Sequence, residues 1–504
     1  MRSQIESSAH LCADSRLIQK GDVYLAYPVG LGSVVSDNRA HIPAALAAGA
    51  ALVLYEDSSW DEDKYPHARQ LLADSRCIPV RGLSEVAGEL ADFWYQQPSK
   101  SLRVIGITGT NGKTSISHWI AQALGRDQST AVMGTLGVGP LGQLVSTGFT
   151  TPDAPRVHRI LAELKNKNIK TVAMEVSSHA LDQGRVNAVH FNTAIFTNLT
   201  QDHLDYHGSM LSYQEAKRRL FDWPELSNAI IYLDDSVGAS WINEFADREG
   251  LNLWAYGSYE GFEAFPESVR QKIKAVLHRN ITPTSRGLSF ECHIAGNWHQ
   301  VDMKVVGDFN VNNALAVLCT LIVSGLSVQK SIHLIQGLHS VPGRMELVNP
   351  QDEKSPLIVV DFAHTPDALE KALLALRPIA NARNGKLTCV FGCGGNRDQS
   401  KRPLMGGIAS RLADNIVLTS DNPRDEDPVK IMDQIMAGIA IEFRTKVQPY
   451  PDRASAILTA VKQSGRHDIL LIAGKGHETT QEIAGKKYPF SDVDHARLAI
   501  RGMA

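Results

Sequence analysis

Short apolar runs alternate with longer amphipathic stretches along most of the chain, a pattern that predicts buried parallel strands separated by helices. Near the start, D-V-Y-L-A-Y (22–27) and A-A-L-V-L-Y (50–55) read as strands, with the alanine-rich H-I-P-A-A-L-A-A-G-A (41–50) as a helix. The polar, proline-containing Q-Q-P-S-K-S (96–101) reads as a linker. Beyond it, V-I-G-I-T-G-T-N-G-K-T-S gives a strand, a glycine-rich turn and a helix start, and T-V-A-M-E-V, T-A-I-F-T-N and A-I-I-Y-L give further buried strands. Shorter alternating runs between 284 and 306 predict antiparallel strands. From V-P-G-R-M-E (341–346) the α/β rhythm returns with L-I-V-V-D-F, L-T-C-V-F-G, N-I-V-L-T-S and I-L-L-I-A-G.

The expected architecture is α/β in three domains: an N-terminal α/β domain (1–98), a central parallel-sheet domain like that of P-loop ATPases (99–341) and a C-terminal Rossmann-like domain (342–504). A length of 504 residues with 43% hydrophobic content supplies cores for all three. The formal net charge of -3 gives no support for a nucleic-acid partner. The opening M-R-S-Q-I-E-S-S-A-H lacks the apolar core of a signal peptide, and no apolar run approaches the roughly 20 residues that cross a bilayer. Six cysteines without a C-x-x-C pair read as reduced core thiols. A cytoplasmic monomer without membrane insertion is expected.

The candidate chemistry begins at T-G-T-N-G-K-T, Thr108 to Thr114, between a strand and a helix. Backbone N–H groups of Gly109, Thr110, Asn111 and Gly112, with a helix N-terminus behind them, suit phosphate oxygens. Lys113 would reach the terminal phosphates and the Thr114 hydroxyl would bind Mg²⁺. The usual spacing asks for glycine at 107, where this chain has Ile107 between Gly106 and Gly109. A chance G-K-T in a tight turn is the plainer alternative. Glu175 and His203, at the ends of neighbouring strands, are candidate metal ligands; a lone histidine is also commonly structural.

The loop S-D-N-P-R-D-E-D-P (420–428) holds one arginine, Arg424, among acidic residues. It is either a solvated turn or a pincer for a substrate carboxylate, and strand ends in parallel sheets are where ligands collect. Asp425, Glu426 and Asp427 read as solvated.

T-G-T-N-G-K-T, M-E-V-S-S-H, N-L-T-Q-D-H-L-D-Y-H-G, Y-Q-E-A-K-R-R-L-F, G-D-F-N-V-N-N-A-L-A, P-G-R-M-E, D-F-A-H-T-P-D, D-N-P-R and G-K-G-H-E follow one another in this order. Together they resemble the Mur ligases of peptidoglycan synthesis, in the branch that adds meso-diaminopimelate. The resemblance implies a UDP-sugar-binding first domain and an ATP-dependent amide ligase, in which the γ-phosphate of ATP passes to the terminal carboxylate of UDP-N-acetylmuramoyl-L-alanyl-D-glutamate. The incoming amine then displaces phosphate from the acyl phosphate. It also implies Lys217, in A-K-R-R-L-F, as a carbamylated lysine (N6-carboxylysine) helping to bind a second Mg²⁺; charge pattern alone would leave Lys217 on a solvated helix face. For ATP it implies Thr108 to Thr114, with Asn310 near the adenine, Arg344 at the γ-phosphate and Asp361 at the ribose. Arg344, at the start of the third domain, suggests a closing motion. Ser15, Thr150, Thr151, Ser177, Gln183 and Arg185 are implied for the UDP-sugar dipeptide. Arg397, Asp421, Asn422, Pro423, Arg424, Gly474 and Glu478 are implied for diaminopimelate, with Arg424 on its distal carboxylate and Glu478 on its distal ammonium. Phe149 stands where the family commonly has asparagine, and the loop at 27–39 is longer than usual, with Asn38 in place of glycine.

Three rival readings fit parts of the chain. A folylpolyglutamate-synthetase-like ligase would share the phosphate loop and the acyl phosphate, but typically has glycine at the position of Thr114. A lysine-adding or tripeptide-recycling Mur ligase would differ in the amine or acceptor that it takes. A nucleotide-binding module without catalysis would release no phosphate on addition of substrates.

Overall fold

The apolar runs are buried strands because neither sheet face is left to water. The computed structural model describes residues 9–30, 36–58, 74–284, 287–349, 352 and 354–502. The expectation about residues 1–8, and part of that about the 27–39 loop, lie outside the described residues. Compactness divides the chain into two units, 1–275 with 319–325, and 276–318 with 326–504.

In the first unit, β1 (Leu11–Cys12) and β2 (Val23–Ala26) precede a two-stranded hairpin, β3 (Pro28–Val29) and β4 (Ser36–Asp37). With β5 (Leu52–Glu56) and β6 (Cys77–Val80), they form a parallel sheet in the order β1-β2-β5-β6. The segment read as a linker is instead packed. It makes a 3-10 turn at Pro98–Ser101, and the buried Ser99 hydroxyl accepts the His190 N–H at 3.0 Å. Polar composition could not reveal that this hydroxyl has a partner 91 residues away.

The larger sheet of this unit uses β7 (Arg103–Thr108), β8 (Thr130–Gly134), β9 (Gly137–Gly139), β10 (Thr171–Glu175), β11 (Thr193–Phe196), β12 (Asn228–Tyr232) and β13 (Asn252–Ser258). Their order is β13-β12-β11-β7-β10-β8-β9, parallel except for β9. Strand β7 lies between β10 and β11, in register with Glu175 beside Ile107 and Phe196 beside Thr108. That register delivers the glycine-rich turn, Glu175 and the 197–203 loop to one end of the sheet. Ile107 is fully buried within β7, so this position belongs to the strand. Gly106 lies under the Phe191 ring, where a Cβ would be crowded.

In the second unit, β14 (Lys274–Thr284), β15 (Gly287–Ile294) and β16 (Asn297–Met303) are antiparallel neighbours. A six-stranded sheet follows, made of β17 (Glu346–Leu347), β18 (Leu357–Asp361), β19 (Leu387–Phe391), β20 (Asn415–Leu418), β21 (Val447–Pro449) and β22 (Ile469–Ala473). Its order is β17-β18-β22-β19-β20-β21, with only β17 antiparallel. Alternate residues of β18 serve separate cores: Leu357 and Val359 pack with Leu369 and Leu373, while Ile358 and Val360 pack with Ile457 and Val461. Each such side chain contributes roughly 1.5–3 kcal/mol on full burial. A hairpin of β23 (Thr480–Ile483) and β24 (Lys486–Pro489) follows β22. All six cysteines are buried, and none of them forms a disulfide among the described residues. Among the described residues, no helix is long and apolar enough to cross a membrane.

Candidate active site

The turn after β7 is shaped by two glycines with left-handed backbones, Gly109 (φ 142°) and Gly112 (φ 89°). A Cβ on Gly109 would collide with the Thr197 hydroxyl. Gly112 immediately precedes the helix Lys113–Leu124, whose first N–H groups therefore face the turn. The Lys113 ammonium curls back, donating to Gly109 O at 2.8 Å and Thr110 O at 2.9 Å. Thr108 is buried, and its hydroxyl has no hydrogen-bond partner among the described residues.

Thr114, the next residue of the helix, donates its hydroxyl to Glu175 Oε2 at 3.0 Å. The Thr135 N–H and hydroxyl also bond the Glu175 carboxylate, at 3.0 and 3.1 Å. Gly134 leaves room for that carboxylate, because a Cβ there would strike it. Lys217 is 1% exposed, contrary to the charge pattern of K-R-R, and its Nζ donates at 3.0 Å to Gly109 O, the carbonyl that also receives Lys113. Burial, aided by the nearby Lys113, pushes the Lys217 amine well below the ordinary lysine range. His203 takes the left-handed backbone (φ 52°) and stacks edge-on against His179, 4.7 Å between ring centres. Burial lowers its pKa, with Lys113 and Lys217 adding repulsion against the opposing pull of Asp202.

The threonine pair adjoins this cluster. Thr150 lies 3.1 Å, hydroxyl to hydroxyl, from Thr135, and the buried Thr151 hydroxyl bonds Glu175 O and the Ser177 N–H. Ser177 caps the helix Ser178–Asp182. Arg185 reaches Thr151 O at 3.0 Å and is held by Gln183 Oε1, which in turn is oriented by Tyr206. Phe149 is half-exposed beneath the Arg185 guanidinium, 5.9 Å from its ring centre. Ser15 opens a short 3-10 turn, Ser15–Leu17, capped by Asp14.

In the second unit, the buried Asn310 donates to Val306 O and accepts from Asn313. Asp361, at the end of β18, accepts the N–H groups of Met345 (2.7 Å) and Ala363 (2.8 Å); burial outweighs these bonds and raises its pKa. Arg344 spreads over the Phe362 ring at 5.2 Å. His477 packs on the same ring, and burial reinforced by Arg344 pushes its pKa down to about 4. A histidine depressed in the fold but ordinary when unfolded is protonated first in the unfolded chain. Its contribution to stability is therefore full above about pH 6.5 and is lost as pH falls toward 4. Thermal midpoints measured from pH 7 to pH 5 should fall less in His477→Gln than in the unaltered protein.

Asp421 to Arg424 follow β20, and Gly474 to Glu478 follow β22. Asn422 donates to Glu478 Oε2 at 2.9 Å. Asp421 is buried, which raises its pKa, and lies where a Cβ on Gly474 would intrude. Arg424 also has a left-handed backbone (φ 51°), fixed by its N–H on Glu482 O and its carbonyl under the Ala484 N–H. Its Nη1 donates to Gly395 O at 2.8 Å and its Nε lies 3.3 Å from Glu482. The side chain is 23% exposed. Arg397 is exposed on the loop after β19.

Two family profiles match the chain, Mur ligase middle domain over residues 107–321 and Mur ligase, glutamate ligase domain over 343–476. A protein of Ralstonia nicotianae named UDP-N-acetylmuramoyl-L-alanyl-D-glutamate--2,6-diaminopimelate ligase is 48% identical, over 99% of this chain and 94% of its own. A Chromobacterium violaceum protein of the same name is 46% identical, over 97% and 93%. The chain belongs to the Mur ligase family. A solved ligase structure bearing that name superposes with a TM-score of 0.68 at 33% identity, covering 98% of this chain and 95% of its own. A folylpolyglutamate synthase of Mycobacterium tuberculosis shares the fold at 15% identity, with a TM-score of 0.56 over 82% and 94%. The three-domain α/β architecture is that of the Mur ligases.

In this Mur ligase Asp425 and Asp427 are exposed, as the solvated reading has it, whereas Glu426 is half-buried, which corrects that reading for Glu426. Glu426 pairs with the fully buried Arg402, Asp425 accepts from the Asn396 side chain, and Asp427 caps the helix Pro428–Met436. Two more charged residues escaped the sequence reading. Lys475, fully buried, donates to Asn422 Oδ1 (3.0 Å) and Glu478 Oε2 (2.8 Å), and Arg453 makes a buried pair with Asp492. Burial alone would raise the Glu478 pKa, but Lys475 and Asn422 bring it below the ordinary value. The lysine inside G-K-G-H-E was the one available signal.

Proposed function

We propose that this Mur ligase uses ATP to join meso-diaminopimelate to UDP-N-acetylmuramoyl-L-alanyl-D-glutamate. What carries the reading is likeness along nearly the whole chain to relatives named for that reaction, together with an Arg424 side chain that is part-exposed in the loop after β20. A glutamate carboxylate oxygen takes the γ-phosphoryl group, with ADP leaving; the amine then attacks the acyl carbon and phosphate leaves. Lys113 and the N–H groups at the start of its helix hold the phosphates, beside a turn whose Thr110 and Asn111 N–H groups bond Asn198, and their positive character offsets repulsion between phosphates and carboxylate. Thr150, Thr151, Ser177, Gln183, Arg185 and Ser15 hold the UDP-sugar dipeptide. Asn310, Arg344 and Asp361 complete the proposed ATP ligands.

Mg²⁺ fits the donors present. The Thr114 hydroxyl and Glu175 carboxylate are hard oxygens already in contact. Among the described residues no group of three or more His, Cys, Asp or Glu is placed to hold a metal ion, and Mg²⁺ commonly keeps water and substrate phosphate in its shell beside one or two carboxylates. Such an ion neutralises phosphate charge; Thr114, Glu175, His203 and Lys217, as its carbamate, are the proposed residues around it.

Carbamylation would relieve an awkward arrangement, two lysine Nζ atoms on the single Gly109 carbonyl. The neutral Lys217 amine adds to CO₂ and releases a proton, leaving an anion opposite Lys113. Lys217→Arg keeps a cation but cannot form that adduct, and turnover should fall roughly 10²-fold. Retained turnover would remove the role.

The reading divides the chain as 1–98, 99–341 and 342–504; the gap between the two family profiles, 322–342, supports the second boundary. It gives a cytoplasmic enzyme, since ATP and nucleotide-sugar substrates are solutes of that compartment, and takes the chain as a monomer. The deciding assay is phosphate release from ATP with the UDP-dipeptide, comparing meso-diaminopimelate with L-lysine. Release with diaminopimelate and a tripeptide product by mass supports the reading; release with lysine only would transfer the chain to the lysine-adding ligases.

A further inference from the structure

Two loops of the second unit are fastened together around Arg424. Gly395 N–H donates to Asn422 O at 2.9 Å, and Arg424 Nη1 returns a bond to Gly395 O at 2.8 Å. The fit is close, since a Cβ on Gly395 would collide with Pro423 O. Beneath this contact lies Arg402, on the helix Lys401–Leu412, with a side chain 0% exposed. Its Nη1 and Nη2 grip the Glu426 carboxylate at 2.8 and 3.0 Å, a two-pronged pair. Nη2 also donates to Gly394 O at 3.1 Å, and Glu426 Oε1 accepts the Asn396 N–H at 2.5 Å. One charge pair therefore bonds the 394–396 loop on both sides and the Arg424 loop through Glu426. A guanidinium cannot shed its proton, and Glu426 is the carboxylate bonded to this one.

We propose that Glu426, held by Arg402, is a positioning residue for amino-acid selection, fixing the height and direction of the Arg424 fork. The inference rests on the proposed reaction. Nη1 and Nε of Arg424 already have partners, so an incoming carboxylate must use the outer Nη1–Nη2 end. Small tilts of the loop then cost both bonds at once. Gln434 supplies the contrast: it accepts from Arg402 Nη1 at 2.5 Å but sits on the helix Pro428–Met436, outside both loops.

The test compares Glu426→Gln with Gln434→Leu in the full chain. In Glu426→Gln, KM for meso-diaminopimelate should rise about 10- to 100-fold, the scale of a misplaced binding group. The preference for diaminopimelate over L-lysine should fall by the same factor, with KM for ATP and for the UDP-dipeptide unchanged. Gln434→Leu should lower thermal stability but leave that preference intact. If Glu426→Gln does not fold, Glu426→Asp, which keeps the charge but shortens the reach, is read by the same ratio. An unchanged preference in the folded Glu426 variant overturns the proposal, as does an equal loss in Gln434→Leu. Failure of the unaltered enzyme to use diaminopimelate is a different result, which removes the proposed reaction and this inference with it.

Discussion

Arg424→Ala should abolish most of the discrimination between meso-diaminopimelate and L-lysine while leaving the KM for ATP nearly unchanged. The two amines differ at the far end, where lysine lacks a carboxylate. A site built to bond that carboxylate rejects the analogue by roughly 10⁴-fold or more, because its own polar groups are left unpaired. Removing the guanidinium ends the penalty for lysine and the gain for diaminopimelate together, so the ratio of kcat/KM values should approach one. Arg424→Lys should fall between, retaining a charge without the planar fork. The alanine variant also loses the Nη1 bond to Gly395 O, but the backbone anchors at Glu482 and Ala484 remain. Steady-state kinetics with both amines decides it: a ratio unaltered in Arg424→Ala would refute the assignment.

The elements and the charge network were not equally legible in the sequence. Strands such as β7, β18 and β22 could be read because each is a bounded apolar run buried on both faces, a property local to five or six residues. The phosphate loop was legible for a related reason: its glycines, lysine and threonine lie within seven consecutive positions. Glu426 was not, because an acidic residue in a charged loop looks the same whether it faces water or a buried arginine 24 positions earlier. Lys217 misled for a comparable reason. Its neighbours Arg218 and Arg219 do face solvent in part, and one turn of helix carries both environments. Only the family resemblance singled it out. Ser99 and Lys475 likewise take their meaning from partners that no local pattern names.

The largest stability effect should come from Arg453, which lies under the strand ends that present Asp421–Arg424 and Gly474–Glu478. Its Nε and Nη2 bond the two oxygens of Asp492 at 2.7 Å each, and both side chains are 0% exposed. Nη1 also reaches Ser420 O and Nη2 reaches Ala473 O, tying the exits of β20 and β22 to one guanidinium. Arg453→Met keeps much of the side-chain volume but strands a buried carboxylate and two carbonyls. The expected loss is about 3–5 kcal/mol, the usual scale for breaking a buried pair from one side. Adding Asp492→Leu removes the orphaned charge and should restore part of that loss. It should not restore all of it, since Ser420 O and Ala473 O still lack their donor, at about 1–3 kcal/mol for each unsatisfied group. Hydrogen exchange of the β20 and β22 amides, with urea unfolding of the same variants, measures both quantities. Arg453→Met within about 1 kcal/mol of the parent would mean that water or a rearranged neighbour satisfies Asp492. In that case the pair would not be what holds the two exits together.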